Sequence, residues 1–267
     1  MKPLLLAVVI TAVVAGCATT TSPTGRTQRV GAISQEQLNQ LGAEAFAQAK
    51  ATKPLSTSAQ QNGYVRCVVN AVVRELPANA QGGWEVALFA DNSPNAFALP
   101  GGKVGVHTGI FNVAKNQDQL AAVLAHEIGH VISRHHDERI TRQVGAQTGL
   151  GILGALIGSR YGQGAANTVG QLGGAAAQGL ILLPNNRTQE SEADVVGQQL
   201  MARAGFDPRQ AVNLWQNMIA VGGGRAPEFL STHPDPRARL AELQSRATGL
   251  AATYQQARSS GRTPNCG

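Results

Sequence analysis

The sequence predicts a single α+β domain that is mostly helical and carries one small sheet. Hydrophobic residues make up 43% of the 267 residues and charged residues 14%, which is enough apolar material for a packed core. Most segments repeat their apolar residues at helical spacing, whereas only three short segments resemble strands. The domain is therefore expected over residues 34–258, with a tail at 259–267.

The first 16 residues have the features of an export signal. Lys2 gives a positive start, and the apolar run from Leu4 to Val14 is too short to span a bilayer well. Two small residues then precede Cys17, which resembles the lipobox at which bacterial lipoproteins are cleaved and lipidated. The alternative is an ordinary signal peptide with a chance cysteine. Residues 17–33 are rich in Thr, Ser and Gly and are expected to form a flexible tether.

The first half of the domain is expected to hold two helices and then the sheet. Apolar residues at helical spacing predict the helices, and Pro77 with Gly82 and Gly83 breaks the chain after them. A Pro-Gly-Gly turn at 100–102 predicts a hairpin. The expected helices are Ser34 to about Ala51 and about Ser58 to Leu76, and the expected strands are Trp84–Ala90, Ala96–Leu99 and Val104–His107.

The second half is expected to be helical. A long amphipathic helix should begin at Asn116, whose side chain can cap it with Gln119 as box partner, and run to about Ile140. The Gly- and Ala-rich stretch from Gly145 to about Gly179 is interpreted as a flap over a cleft, a membrane-surface contact or a flexible linker. Three further helices follow: about Thr188 to Ala204, Asp207 to the glycines at 222–224, and Asp235 to about Arg258.

Two more cysteines, Cys67 and Cys266, would enter an oxidising compartment if the chain is exported. A disulfide between them is one interpretation. The alternative is a buried free thiol at Cys67 and a reactive one at Cys266, and sequence separation does not decide between the two.

His126, Glu127 and His130 form an HExxH pattern inside the long helix. Two histidines four residues apart lie on one helix face, so both can reach a zinc ion at about 2.0–2.1 Å. Glu127 lies beside the first of them, where it can take a proton from an attacking water. HExxH also arises by chance, so a third ligand is needed for the interpretation to hold.

The helix near residue 188 offers that ligand. Glu190 and Asp194 are four apart on one face, so Glu190 can bind zinc and Asp194 can accept a hydrogen bond from a liganding histidine. Glu192 lies about 200° around the helix from Glu190 and is expected to be solvated. The alternative for the whole segment is an acidic, solvated helix start.

The remaining histidines are expected to lie outside the metal site. His135 and His136 extend the long helix beyond the motif and should form a solvated end. His107 ends a strand and should be structural. His233 lies next to Pro234, and its position alone favours an ordinary loop histidine.

Four ordered blocks resemble the HtpX and CAAX-prenyl-protease family of zinc peptidases, over about residues 60–245. The resemblance implies a gluzincin-type metallopeptidase domain with a small sheet beside the HExxH helix. The chain lacks the long apolar spans of membrane-embedded relatives and a helical-repeat extension, which points to the small periplasmic lipoproteins of the family. The blocks are Asn95–Gly102, His126–His130, Arg187–Asp194, and Ser231–Pro234 with Arg239.

The resemblance implies one zinc ion per chain and a set of groups around it. The implied zinc ligands are His126, His130 and Glu190, the base is Glu127, and Asp194 lies behind a ligand. His233 and Arg239 are implied as accessory catalytic groups, either of which could donate to the oxyanion. His233 could instead coordinate zinc in a resting state and block the site of the attacking water.

The expected activity is hydrolysis of peptide bonds in unfolded or misassembled envelope proteins. Ala96–His107 is the candidate strand edge that would hold an extended substrate. One alternative is a non-enzymatic chaperone or assembly factor for outer-membrane proteins, and another is a zinc amidase acting on peptidoglycan peptides. Other envelope proteases or assembly machinery are possible partners.

Charge and the residue after the lipobox bear on location. The net charge of +6 is dispersed and aromatic residues are only 4%, which argues against nucleic-acid binding. Ala18, rather than Asp, follows Cys17, so the lipoprotein resemblance implies an outer-membrane anchor facing the periplasm.

Overall fold

The computed structural model describes residues 18–146, 185–221, 229, 232, 233 and 236–267. Most of the Gly- and Ala-rich stretch, from residue 147 on, lies outside the described residues, as does Cys17. The strands are β1 (Ala18–Thr21), β2 (Thr27–Val30), β3 (Glu85–Phe89), β4 (Ala96–Leu99) and β5 (Lys103–His107). The helices are α1 (Gln35–Thr52), α2 (Ala59–Val73), α3 (Gln117–Ile132), α4 (residues 135–146), α5 (Arg187–Ala204), α6 (Gln210–Val221), α7 (Pro236–Gly249) and α8 (Ala251–Ser259).

The three-stranded sheet has β5 in the middle, parallel to β3 and antiparallel to β4. Gly101 and Gly102 make the β4–β5 turn with φ of 77° and 72°, a conformation that favours glycine. A bridge from Leu55 to Phe89 covers part of the β3 edge. Within the described residues β4 pairs only with β5, so its other edge is available to a further strand.

Helix α3 lies at the centre of the domain, packed against α5. Its apolar residues Leu120, Leu124 and Ile128 are fully buried. A Cβ on Gly197 of α5 would lie 2.9 Å from the backbone nitrogen of His126, and one on Gly129 would lie 3.1 Å from the carbonyl oxygen of Ala193. Glycine at these two positions therefore lets the two backbones approach closely enough for their side chains to share one site.

The residues that cap the ends of α3 and α5 lie where helix-start and helix-stop signals occur in the sequence. Asn116 caps α3 by accepting a hydrogen bond from the backbone of Gln119. Asn186 caps α5, where it forms a capping box with Gln189, and Gly205 ends that helix in the left-handed conformation. None of the described helices is both long and apolar enough to cross a bilayer.

Two predicted helices are shorter than expected. The HExxH helix ends at Ile132 rather than near Ile140, because the backbone turns at Ser133 and Arg134 before α4 begins at residue 135. Arg134 has a φ of 54°, which a non-glycine residue rarely adopts. The helix predicted from Asp235 to about Arg258 is likewise divided at Leu250, into α7 and α8.

The predicted tether at 17–33 is wrong for most of its length. Residues 18–30 form an antiparallel hairpin of β1 and β2, which we call the N-terminal hairpin. It packs on the domain through Val30, which is 1% exposed, and through the side chain of Arg26. Composition suggested a tether because Thr, Ser and Gly are common in both linkers and short hairpins.

The C-terminal residues are attached to the opposite part of the chain. Cys67 of α2 and Cys266 form a disulfide with their Cα atoms 5.5 Å apart, which is the first of the two interpretations that the sequence left open. Gln117 at the start of α3 bonds the backbone of both Pro264 and Cys266. The expected tail at 259–267 is therefore fixed against the domain.

Candidate metal centre

Helices α3 and α5 bring the three predicted ligands together. His126 and His130 lie one turn apart on α3, with their Nε2 atoms 3.0 Å from each other. Glu190 of α5 is fully buried, and its carboxylate oxygens lie 3.5 Å from His126 Nε2 and 3.4 Å from His130 Nε2. Ligand atoms of these residues and of His233 all lie within 4.8 Å of one another.

The donor set fits a zinc ion. Two ring nitrogens and a carboxylate converge in a buried space, and Glu190 Oε1 has no hydrogen-bond partner there. Such an arrangement of lone pairs is costly unless a cation is shared among them. Imidazole nitrogen and carboxylate oxygen are zinc ligands, and three protein ligands leave a fourth position open in a catalytic site.

Protonation of the cluster depends on the same neighbours. Burial opposes ionisation of Glu190, but the nearby His233, His126 and His130 outweigh it and hold the pKa of Glu190 well below its usual value. Burial also lowers the pKa of His126, yet hydrogen bonds to Asp194 and Glu190 raise it overall to about 9. A proton therefore competes with a metal ion for His126.

Asp194 lies where the sequence predicted it, behind a ligand. Its Oδ1 is 3.0 Å from His126 Nδ1. Arg239 binds this carboxylate with two bonds of 2.6 Å and reaches Glu190 Oε2 with a third of 2.6 Å. The Arg239 guanidinium also stacks on the Trp215 ring at 4.1 Å.

Arg239 therefore does not stand where an oxyanion donor would be needed. Its guanidinium is aimed at two carboxylates behind the ligand atoms, and the residue is only 4% exposed. This geometry does not support the expectation that Arg239 is an accessory catalytic group, which stays a prediction. The resemblance indicated its presence at the site, but only the structure shows which side of the ligands it occupies.

Glu127 and His233 face a cavity of about 390 Å³. Glu127 Oε1 and His233 Nε2 are 3.1 Å apart, close enough for an ion pair, but not aligned as a hydrogen bond. His233 stacks on Phe229 with ring centroids 4.1 Å apart, and its Nδ1 lies 3.0 Å from the Phe229 carbonyl oxygen. Residues of β4 line the same cavity, so the sheet edge that is unpaired among the described residues lies beside these two side chains.

Three residues expected to be solvated are buried at or near the centre. His135 is fully buried, Glu192 is 4% exposed and His136 is 6% exposed. The expectation failed because the turn at Arg134 redirects the chain, so that the start of α4 folds against the site instead of running on into solvent. Neither Ser133 nor Arg134 is a recognised helix breaker, so the sequence gives no signal for this turn.

His107 is buried at the end of β5, with its Nδ1 2.9 Å from the Ser93 hydroxyl, as expected of a structural histidine. It also lines the cavity wall. It does not belong to the metal-ligand cluster found among the described residues.

Comparisons with known proteins agree with this geometry. The sequence profile of peptidase family M48 matches residues 59–247. The chain is 41% identical over 165 residues to the mitochondrial metalloendopeptidase OMA1 of Schizosaccharomyces pombe, covering 60% of this chain and 46% of that protein. It is 36% identical over 169 residues to the beta-barrel assembly-enhancing protease of Escherichia coli (strain K12), covering 61% of this chain and 34% of that protein. The chain thus spans less than half the length of either relative.

Proposed function

Because the chain belongs to peptidase family M48, we propose that it is a zinc metalloendopeptidase in which His126, His130 and Glu190 hold the zinc ion and Glu127 is the general base. The observation that carries this assignment is the convergence of the three ligands with His233. His130 and His233 also line a cavity together with Glu127 and residues of β4. Bound zinc would polarise the scissile carbonyl and lower the pKa of a coordinated water towards about 7.

The protein side chains then move the protons. Glu127 takes a proton from the attacking water and delivers it to the leaving amine. His233 is held by its Nδ1 at the Phe229 carbonyl, so its Nε2 points towards Glu127 and the cavity. Because the Nδ1 hydrogen is given to the carbonyl, Nε2 can donate to the developing oxyanion only when the ring is the imidazolium, with both nitrogens protonated. The second role, in which His233 occupies the position of the water in a resting state, uses the same geometry.

An extended polypeptide would lie along β4. The edge of this strand that has no partner among residues 18–146 and the other described segments offers backbone donors and acceptors, which bind a peptide with little demand on side-chain identity. An unfolded segment can add to such an edge, whereas a folded protein cannot without unravelling. The substrate class is therefore extended or unfolded polypeptide.

The location proposed for this activity is the bacterial envelope. Cys17 in its lipobox-like context supports a lipid anchor, and Ala18 supports the outer membrane. Both features support a relationship to the small periplasmic lipoproteins. One relative is named a beta-barrel assembly-enhancing protease, which supports unfolded or misassembled envelope proteins as substrates and assembly machinery as a partner. Other relatives are named mitochondrial, so fractionation of cells expressing Cys17→Ala is the direct test. Membrane association that survives this change would refute the anchor.

Cleavage of casein tests the catalytic assignment. Glu127→Gln should keep zinc but lose about 100- to 10,000-fold in rate, because the amide cannot accept the proton. Glu44→Gln on the exposed face of α1 is the matched control and should behave as wild type. Undiminished cleavage by Glu127→Gln would exclude its role as base. Zinc-loaded wild-type protein that prevents aggregation but cleaves nothing would favour the chaperone alternative.

A further inference from the structure

His130 has a buried partner that the mechanism does not use. Its Nδ1 lies 2.7 Å from Nδ1 of His135. At that distance one nitrogen must carry the hydrogen and the other must accept it. If His130 binds zinc through Nε2, as in the proposed function, its Nδ1 is the donor and His135 Nδ1 must offer a lone pair.

Glu192 fixes His135 in the form that can accept. The second ring nitrogen of His135, Nε2, lies 3.1 Å from Glu192 Oε2. Arg26 pairs with the same carboxylate at 2.8 Å, the contact that an ionised glutamate makes with an arginine. An ionised carboxylate only accepts, so His135 Nε2 carries the hydrogen and Nδ1 is left with its lone pair.

The N-terminal hairpin fixes Glu192 in turn. The Thr24 hydroxyl donates to Glu192 Oε1 at 2.6 Å, and Arg26 Nε donates to Oε2 at 2.8 Å. The other end of the Arg26 guanidinium binds Glu138 of α4 with bonds of 2.7 and 2.9 Å. Arg26 thereby joins the hairpin to both helices that meet behind His130.

The turn at Arg134 is what makes this contact possible. In a continuous helix His135 would lie about 140° around the axis from His130, and the two rings could not meet. The left-handed residue at 134 breaks the helix and brings the His135 ring to 4.9 Å from the His130 ring. Unfavourable backbone conformations of this kind persist where the surrounding contacts impose them, and they concentrate at functional sites.

We propose that His135, Glu192 and Arg26 are positioning residues that fix the ring and the tautomer of His130, so that the metal affinity of the centre depends on the N-terminal hairpin. The inference rests on the proposed ligand set. Asn185 Nδ2, which lies 3.4 Å from His130 Nε2, is consistent with a lone pair on that nitrogen. Partners behind a ligand typically alter metal affinity by about 10- to 100-fold.

The test measures zinc affinity by competition with a chelator, together with the visible spectrum of the cobalt-substituted protein. Both His135→Phe and Glu192→Ala should weaken zinc binding about 10- to 100-fold and alter the cobalt spectrum. Glu192→Gln keeps an oxygen that can accept from His135, and it should restore most of the affinity lost in Glu192→Ala. Recovery by the amide separates positioning from simple packing.

Arg26→Ala tests the hairpin itself. Its side chain is 24% exposed, so the variant should fold, and its zinc affinity should fall by less than that of Glu192→Ala. The matched control is Arg262→Ala, which removes another arginine–glutamate pair, with Glu75, that holds the other end of the chain. Wild-type affinity in Arg262→Ala with reduced affinity in Arg26→Ala is the expected pair of results.

Failure of the proposed positioning of His130 can be told from failure of the ligand set. If His130→Ala abolishes zinc binding while His135→Phe and Glu192→Ala bind zinc with wild-type affinity and spectrum, the positioning role is overturned and the ligand set stands. If Glu192→Ala does not fold, the comparison passes to His135→Phe and Arg26→Ala, and wild-type affinity and spectrum in both would overturn the proposal. If His130→Ala itself retains zinc, the ligand assignment is wrong.

Discussion

The two histidines of the metal centre are supported from behind in different ways. His126 has a carboxylate directly on its Nδ1, and that carboxylate of Asp194 is held by the buried Arg239. His130 has a second histidine on its Nδ1, and the carboxylate comes one step later. The first support lies wholly inside the helical core, whereas the second ends at the N-terminal hairpin.

Helix α5 serves both supports because its acidic residues point in different directions. Asp194 and Glu190 lie on the face towards α3, and Glu192 lies on the face towards the hairpin and α4. One helix therefore supplies a ligand and the anchoring carboxylate for each histidine. The charges that support His126, on Asp194 and Arg239, are thus buried in the core. The charges that support His130, on Glu192 and Arg26, include a partly exposed arginine of the N-terminal hairpin, which follows the proposed membrane anchor in the sequence.

Removal of Arg239 should have the largest effect on stability. In Arg239→Ala two buried carboxylates, Asp194 and Glu190, lose their cation, and breaking a buried ion pair in this way costs about 3–5 kcal/mol. Arg26→Ala should cost less, because Arg26 is partly exposed and water can replace it. Urea unfolding of the zinc-free proteins measures both values.

The control for this comparison is Arg209→Ala, whose ion pair with Asp207 is exposed and should contribute about 0–1 kcal/mol. Equal destabilisation by Arg239→Ala and Arg26→Ala would contradict the claim that the buried ion pairs behind His126 contribute more stability than the partly exposed pairs behind His130.

The disulfide should affect the stability of the protein without affecting the residues that support His126 and His130. Replacing both Cys67 and Cys266 by Ser should lower the unfolding free energy by about 2–5 kcal/mol, since the bridge restricts the unfolded chain. The hydrogen bonds that hold Asp194, His135 and Glu192 among the described residues do not involve either cysteine. Zinc affinity at a temperature where the variant stays folded should therefore equal that of wild type.

Chelator competition on the same preparation checks the second half of this prediction. A loss of zinc affinity as large as that in Glu192→Ala would mean that the C-terminal attachment also positions the metal ligands. Reduction of the wild-type disulfide should reproduce the double variant.

Much of the centre could be predicted from local pattern. Helical spacing placed His126 and His130 on one face, and the same rule placed Glu190 with Asp194. The signals at Asn116 and Gly205 set the ends of the two helices that carry these residues. Each of these predictions depends on residues within about one helical turn of one another.

The support of His130 could not be predicted in the same way. It depends on a turn at Arg134 that no breaker residue marks, and on a contact between Arg26 and Glu192, which are 166 residues apart. Composition made the hairpin look like a tether, and charge made Glu192 look solvated. Long-range pairing of charges leaves no periodic trace, so only the folded structure reveals it.

The smallest expected effect concerns acid stability. The pKa of Glu192 in the folded protein lies below its unfolded value of about 4.3, because burial is outweighed by its hydrogen bonds to His135, Thr24 and Arg26. A carboxyl with a lowered folded pKa adds stability above the unfolded pKa, and that stability is lost as the pH falls through the folded pKa. Glu192→Gln should therefore be less stable than wild type at neutral pH. The gap should narrow as the pH falls below about 4 and close only when the pH has passed the folded pKa.

Urea unfolding of the zinc-free proteins at several pH values measures this convergence, and the zinc-free state keeps metal release from contributing. Asp207→Asn is the matched control. The pKa of Asp207 is also lowered against the effect of burial by its bonds to Arg209, but Arg209 is largely exposed, so solvent weakens the pair. Its stability should lie close to that of wild type at every pH.

A constant difference in stability between Glu192→Gln and wild type down to about pH 3 would mean that position 192 stabilises the hairpin by packing rather than by charge. In that case the support of His130 would not depend on charge at the N-terminal hairpin. It would differ from the support of His126 only in that His135 lies between the histidine ligand and the carboxylate.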